Sequence, residues 1–256
     1  AGPNGTIMPS GALTVNQGDN IAFTIMPNSG YQVQSVLVDG VNKGAITSYT
    51  FVSVYADHSI SASFALIEAD TTPPTGTIAI NGGAAYTTSR SVTLTLSCDA
   101  NDCTQIQLSN DTVTWTTASY APSQNWRLAA GNGLRSVYVR YSDAAGNWSE
   151  VYSGVIIYDD TAPTNGTLSA TAIPGTIALT WTGFSDAVSG LSSYTLVYST
   201  KSTPSSCSTG LVLYSGPGTS YTHTGVAPGT TYNYRLCATD SAGNVSKGIT
   251  TKVKAP

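Results

Sequence analysis

Four cysteines, two histidines and fourteen acidic side chains are the residues of this chain whose types could do chemistry. His58 and His223 lie far apart in sequence, so a base and its orienting partner cannot both be drawn from them without close docking. No nucleophile-elbow G-x-S-x-G, phosphate loop, H-E-x-x-H or dinucleotide fingerprint is present. No catalytic residue is assigned, and the chain is not read as an enzyme. His58 falls in a turn before an alternating segment, and His223 between Tyr221 and Val226; both read as packed or turn histidines.

The cysteines form two local pairs. Cys98 and Cys103 flank Asp99-Ala100-Asn101-Asp102, and Cys207 and Cys237 lie near the end of the chain. A zinc site needs four ligands at finger-like spacing, and no C-x-x-C occurs. Two disulfides are expected instead, and they imply an oxidising compartment. Asp143, Asp159, Asp160, Asp186 and Asp240 sit where oxygen ligands could hold Ca²⁺ between modules. The same residue types make turns without any ion, because Asx side chains bond local backbone and glycine takes φ > 0. They are read as turn residues, with no metal and no cofactor.

Fifteen Tyr and four Trp raise a carbohydrate reading. Trp115, Trp126 and Trp181 are expected as core anchors, because a sandwich buries large aromatics. Trp148 and Tyr138 are expected to be exposed. Several Asn-x-Ser/Thr triplets, Asn147-Trp148-Ser149 among them, fit the glycosylation sequon.

These residues are carried by a repeat. Asp143-Ala144-Ala145-Gly146-Asn147 followed by Ser149 is matched by Asp240-Ser241-Ala242-Gly243-Asn244 followed by Ser246. Each phrase follows an alternating run, so a turn and its strand occur twice and imply a repeated domain. The shared Asp sets a register. Val137, Val139 and Tyr141 face one core, and Tyr234, Leu236 and Ala238 the other. Cys237 then lies on the outer face of its sheet, and its bond to Cys207 staples a loop over that face.

A second repeated phrase marks the seams. Asp70-Thr71-Thr72-Pro73-Pro74-Thr75-Gly76-Thr77 is matched by Asp160-Thr161-Ala162-Pro163-Thr164-Asn165-Gly166-Thr167. Proline-rich stretches leading into apolar strands read as semi-rigid linkers. Three modules are expected, at 1–68, 69–159 and 160–256. Charged residues are 9% and hydrophobic residues 41% of the chain, with polarity supplied by Ser, Thr, Asn and Gly. That is a strand composition. The fold class is all-β: a small β-rich module, then two sandwiches. Net charge is -4, and the ten Lys and Arg are scattered, which argues against nucleic acid. No apolar run approaches the ~18 residues of a membrane span.

The last segment resembles a fibronectin type III domain. Thr176-Ile177-Ala178-Leu179-Thr180-Trp181, the Pro228-Gly229-Thr230-Thr231-Tyr232 corner and the alternation after it carry the resemblance. It implies that Trp181 anchors the core and that the Tyr232 hydroxyl bonds backbone a few residues upstream. The middle segment resembles bacterial Ig-like repeats, but Arg135 stands where the last has Tyr232, so no tyrosine corner is expected there. The first resembles the B-repeats of internalin-type surface proteins through Gly30-Tyr31, Val38-Asp39-Gly40 and His58-Ser59-Ile60, which implies a β-grasp-like module.

These readings point to a secreted or cell-surface structural or adhesive protein, with self-assembly into a fibre as its concrete form. The alternative is a spacer or carbohydrate-targeting region of a larger secreted enzyme. Expected partners are a protein or glycan surface, or a second copy, with no nucleic acid. Asp143, Asn147, Asp240 and Asn244 are expected to serve structure.

Overall fold

A computed structural model of the chain describes residues 1–99 and 102–256; Ala100 and Asn101, inside the Cys98–Cys103 loop, lie outside the described residues. The protein is all-β, without an α-helix among the described residues. It divides into two compact units, Ala1–Thr71 and Thr72–Pro256.

The first unit has six strands: β1 (Gly5–Met8), β2 (Ile21–Pro27), β3 (Tyr31–Val38), β4 (Val41–Asn42), β5 (Ser48–Phe51) and β6 (Ile60–Leu66). They form two three-stranded sheets, β1-β2-β5 and β4-β3-β6. Ile7, Ile25, Val36 and Phe51 fill the core between them. Asp39 and Gly40 both have positive φ, as a two-residue hairpin between β3 and β4 requires.

The second unit holds two sandwiches, each with its own core. The first is built from β7 (Gly76–Ile80), β8 (Tyr86–Thr87), β9 (Ser91–Cys98), β10 (Gln105–Ser109), β11 (Thr116–Ser119), β12 (Ser123–Arg127), β13 (Gly133–Ser142) and β14 (Tyr152–Tyr158). Sheet β12-β9-β7 faces sheet β11-β10-β13-β14-β8. The second has β15 (Thr167–Ile173), β16 (Thr176–Thr182), β17 (Leu191–Ser199), β18 (Leu211–Gly216), β19 (Ser220–Thr224), β20 (Thr231–Asp240) and β21 (Ile249–Lys254). Sheet β15-β16-β19 faces sheet β18-β17-β20-β21.

Period-2 burial runs through these strands, as one-sided sheets demand. Val92, Leu94 and Leu96 on β9 point inward, as do Ile177, Leu179 and Trp181 on β16. Val137, Val139 and Tyr141 on β13, and Tyr234, Leu236 and Ala238 on β20, are fully buried at 0% exposure.

Trp115 departs from its expected place. It lies just before β11, outside any strand, and is only half-buried. Trp126, on β12, is also half-buried but packs against the core, with its indole N–H donating to the Asn110 side chain at 2.9 Å. Tyr141 supplies the buried aromatic bulk instead, and its hydroxyl donates to the Thr77 carbonyl. The inward register of β13 gives Tyr141 the central position. The loop ahead of β11 carries Trp115 around to the outer face.

The repeated seam phrase explains its own glycine. A Cβ on Gly76 would collide with the Ser97 carbonyl oxygen, and one on Gly166 with that of Thr182. Each glycine sits where the first strand of a sandwich presses on its neighbour's backbone.

Candidate functional site

The two copies of the repeated turn fold alike. In the first, an Asp143 carboxylate oxygen accepts the Asn147 backbone N–H at 2.8 Å, and the other accepts the Asn147 amide at 2.8 Å. In the second, Asp240 accepts the N–H groups of Gly243 and Asn244 at 2.7 and 2.8 Å, and the Asn244 amide at 2.9 Å. The serines two residues on close each turn. The Ser149 hydroxyl accepts the Tyr141 N–H at 2.9 Å, and that of Ser246 accepts the Ala238 N–H at 3.0 Å. Burial pushes the Asp143 carboxyl up, but the Asn147 amide and the N–H groups of Asn147, Gly146 and Ala145 outweigh it and hold it below the ordinary carboxylate range.

The second turn also builds the seam between the two sandwiches. Asp159, just after β14, has 0% exposure. One of its carboxylate oxygens accepts the Ser189 hydroxyl at 2.6 Å. The other accepts the Thr161 N–H at 3.1 Å and the Asn132 amide at 3.3 Å. Asn244 donates to the Asp159 carbonyl at 2.9 Å. The Ala242 N–H reaches the Ser189 hydroxyl at 3.3 Å. Further along the linker, Asn165 and Gly248 exchange two hydrogen bonds, at 3.1 and 3.2 Å. A buried carboxyl group bonded from both sides fixes orientation in a way that a Pro-rich linker alone cannot.

Asp186 completes the seam's acidic set. Burial pushes its carboxyl up, but the N–H groups of Val188, Gly190 and Ser189 outweigh this and hold it low. Oxygens of Asp159, Asp186 and Asp240 lie within 4.8 Å of one another, so a divalent cation is the ligand class this trio could hold. Five of their six oxygens already accept hydrogen bonds from the chain. Any ion would have to compete with the turns that place them.

Both cysteine pairs are bonded, with S–S distances of 1.98 and 2.03 Å. Cys237 stands on the outer side of β20 yet is only 2% exposed, because the loop carrying Cys207 covers it. Arg235 pins the same loop by donating to the Pro204 carbonyl at 2.6 Å. The Tyr232 hydroxyl accepts the Ala227 N–H at 2.8 Å. At the matching place in the other sandwich, the Arg135 guanidinium reaches back to the Gly131 and Asn132 carbonyls. Trp181 is buried at 3% exposure against Tyr194 and Tyr214.

The histidines are each satisfied locally. His58 stacks on Phe51 and shares a 2.8 Å hydrogen bond with Asp39. His223 is buried and shares a 2.8 Å bond with the Tyr234 hydroxyl, and burial lowers its pKa. An open groove of about 670 Å³ in the first unit is lined by Phe23, Val54, Tyr55 and His58. His58 spends its Nδ1 on Asp39, and no nucleophile bonds to its ring among the described residues.

Sequence reasoning did not anticipate Ser189, Asn132 or the Arg135 clasp. The outer face of β13 carries another unanticipated set: the Arg140 guanidinium sits 5.0 Å from the ring centres of both Trp115 and Trp148.

No protein-family model matches the chain, and no curated protein matches it in sequence. Solved structures do. Domains A168–A170 of titin are 15% identical to it, with a TM-score of 0.50 and 95% of each chain covered. The fibronectin(III)-like modules of Clostridium thermocellum CbhA are 14% identical, with a TM-score of 0.44 over 70% of this chain and 93% of that one. The FN1–FN3 domains of chicken CNTN1 are 14% identical, with a TM-score of 0.42 over 93% and 95%. The titin likeness shows the fold, which is that of tandem immunoglobulin-like and fibronectin-like β-sandwiches. No helix among the described residues is long and apolar enough to cross a membrane.

Proposed function

We propose that this chain is a non-catalytic structural or adhesive segment of a secreted or cell-surface protein. Its three modules would span 1–68, 69–159 and 160–256, as a B-repeat-like, a bacterial Ig-like and a fibronectin type III domain. The buried seam carries this reading. Asp159 belongs to one sandwich and is held by Ser189 and Asn244 of the other, so the pair behaves as one stiff body. Stiffness is what holding two surfaces at a fixed distance requires. Two disulfides suit an oxidising exterior.

The fibre version rests on open sheet edges. β18 ends its four-stranded sheet and presents Leu211 and Val212, which are 63% and 62% exposed. Such an edge accepts a strand from another chain. Sedimentation velocity and negative-stain microscopy over rising concentration test it. Ordered oligomers that Leu211→Lys abolishes are expected. A monodisperse monomer at high concentration would end the fibre version.

A further inference from the structure

The outer face of sheet β11-β10-β13-β14-β8 gathers one arginine and two indoles. On β13 the outward residues are Leu134, Ser136, Tyr138 and Arg140, opposite Ile157, Val155 and Ser153 of β14. On the other side Gln107 lies directly across from Arg140, and Thr117 across from Gln107. None of these outward positions carries a carboxylate.

Arg140 is held rigidly at the centre. Its Nε and Nη2 donate to the Gln107 side-chain oxygen at 2.8 and 2.6 Å. The Gln107 amide is in turn fixed by donating to Thr117 at 3.0 Å. The two indoles flank the guanidinium at 5.0 Å each. Trp115 is locked by its own N–H donating to the Thr112 carbonyl at 3.0 Å. Trp148 is placed by the repeated turn through its bridge to Ser142. Cation–π contacts account for the stacking. They leave the guanidinium charge without an acidic partner among the described residues, and neither the Arg140 Nη1 nor the Trp148 indole N–H has an acceptor there.

We propose that this face binds a carboxylated glycan, with Arg140 taking the carboxylate and Trp115 and Trp148 flanking the sugar rings. The chemistry selects that class. Guanidinium is the strongest carboxylate donor among side chains. A uronate ring sets a carboxylate beside a flat, C–H-rich face, which matches a guanidinium set beside indole rings. Nη1 is the Arg140 donor left for the carboxylate, and the Trp148 indole N–H suits a ring hydroxyl. An acidic peptide side chain would engage Arg140 but leave both indoles unmatched. The proposal deepens the adhesive reading above and rests on it.

The test is calorimetric titration of the full chain with oligogalacturonate, with its methyl ester as a neutral counterpart and with polyglutamate as an acidic peptide. Binding is expected to oligogalacturonate, at least tenfold weaker to the ester, and weakened by added salt. Arg140→Gln and Trp148→Ala should each lose at least tenfold, with a cooperative unfolding transition and the wild-type circular dichroism spectrum showing that each variant still folds. Arg140→Lys, which keeps the charge but not the planar stack, should fall between. No binding by the wild-type chain, undiminished binding by Arg140→Gln, or tighter binding of polyglutamate would overturn the proposal. None of those results would loosen the Asp159 seam, so they are separable from failure of the structural reading.

Discussion

Tyr232 and Arg135 stand at the same distance before the Asp of each repeated turn, and they close the same corner with different chemistry. The Tyr232 hydroxyl accepts one N–H at 2.8 Å. Arg135 donates to two carbonyls instead. Tyr232→Phe leaves the Ala227 N–H without its partner, so it should cost about 1–2 kcal/mol in denaturant unfolding. The tyrosine was legible because its motif is local. The arginine was legible only as the loss of that motif, because its reach depends on how the Gly131 loop folds. His223 gives a pH signature. Its folded pKa lies below the ordinary value, so the unfolded chain binds the proton more readily. Stability is therefore unaffected at higher pH and falls as pH drops below about 6.5. Urea midpoints between pH 5 and 8 should show that decline, and His223→Gln should flatten it. Asp143 and Asp186 act later. Their contribution is complete above the ordinary carboxylate range and is lost as pH falls through their depressed values, below about pH 4.

At the scale of elements, the strands were legible from alternation and the turns from Asp, Gly and Asn. Period 2 fixes which side chains face inward, and turn chemistry is local. Trp115 was misplaced because aromatic type alone does not say whether a residue lies inside a strand. The glycine of the seam phrase was visible, but its reason was not, since it depends on a neighbouring strand's carbonyl. Gly166→Ala has to displace the Thr182 backbone, and a loss of about 1–3 kcal/mol is expected in unfolding titrations, in line with overpacking. Reducing Cys207–Cys237 reopens a loop with a sequence separation of 30. Its removal as a Cys207→Ser, Cys237→Ser pair should cost about 3–4 kcal/mol by chain entropy. The seam was the least legible element. Asp159 and Asp240 could be named as turn or metal residues, but Asn132 meets Asp159 only when its own sandwich closes, and Ser189 meets it only after two sandwiches have folded. Because chain donors already occupy most of the trio's oxygens, millimolar calcium should leave the unfolding temperature within about a degree. A rise of several degrees would mean the trio binds the ion.

For the molecule as a whole, the buried seam is expected to hold the two sandwiches of residues 72–256 as one rigid body. Ser189→Ala combined with Asn244→Ala removes both side-chain donors that the last sandwich gives Asp159 while leaving both cores intact. It should therefore free the sandwiches from each other without unfolding either one. Residual dipolar couplings measured on the full chain read this directly, because each rigid body reports one alignment tensor. A single tensor fitting both sandwiches of the wild-type chain, splitting into two in the Ser189→Ala, Asn244→Ala double variant, is the predicted result. Two independent tensors in the wild-type chain would contradict the rigid seam and, with it, the structural reading of the protein.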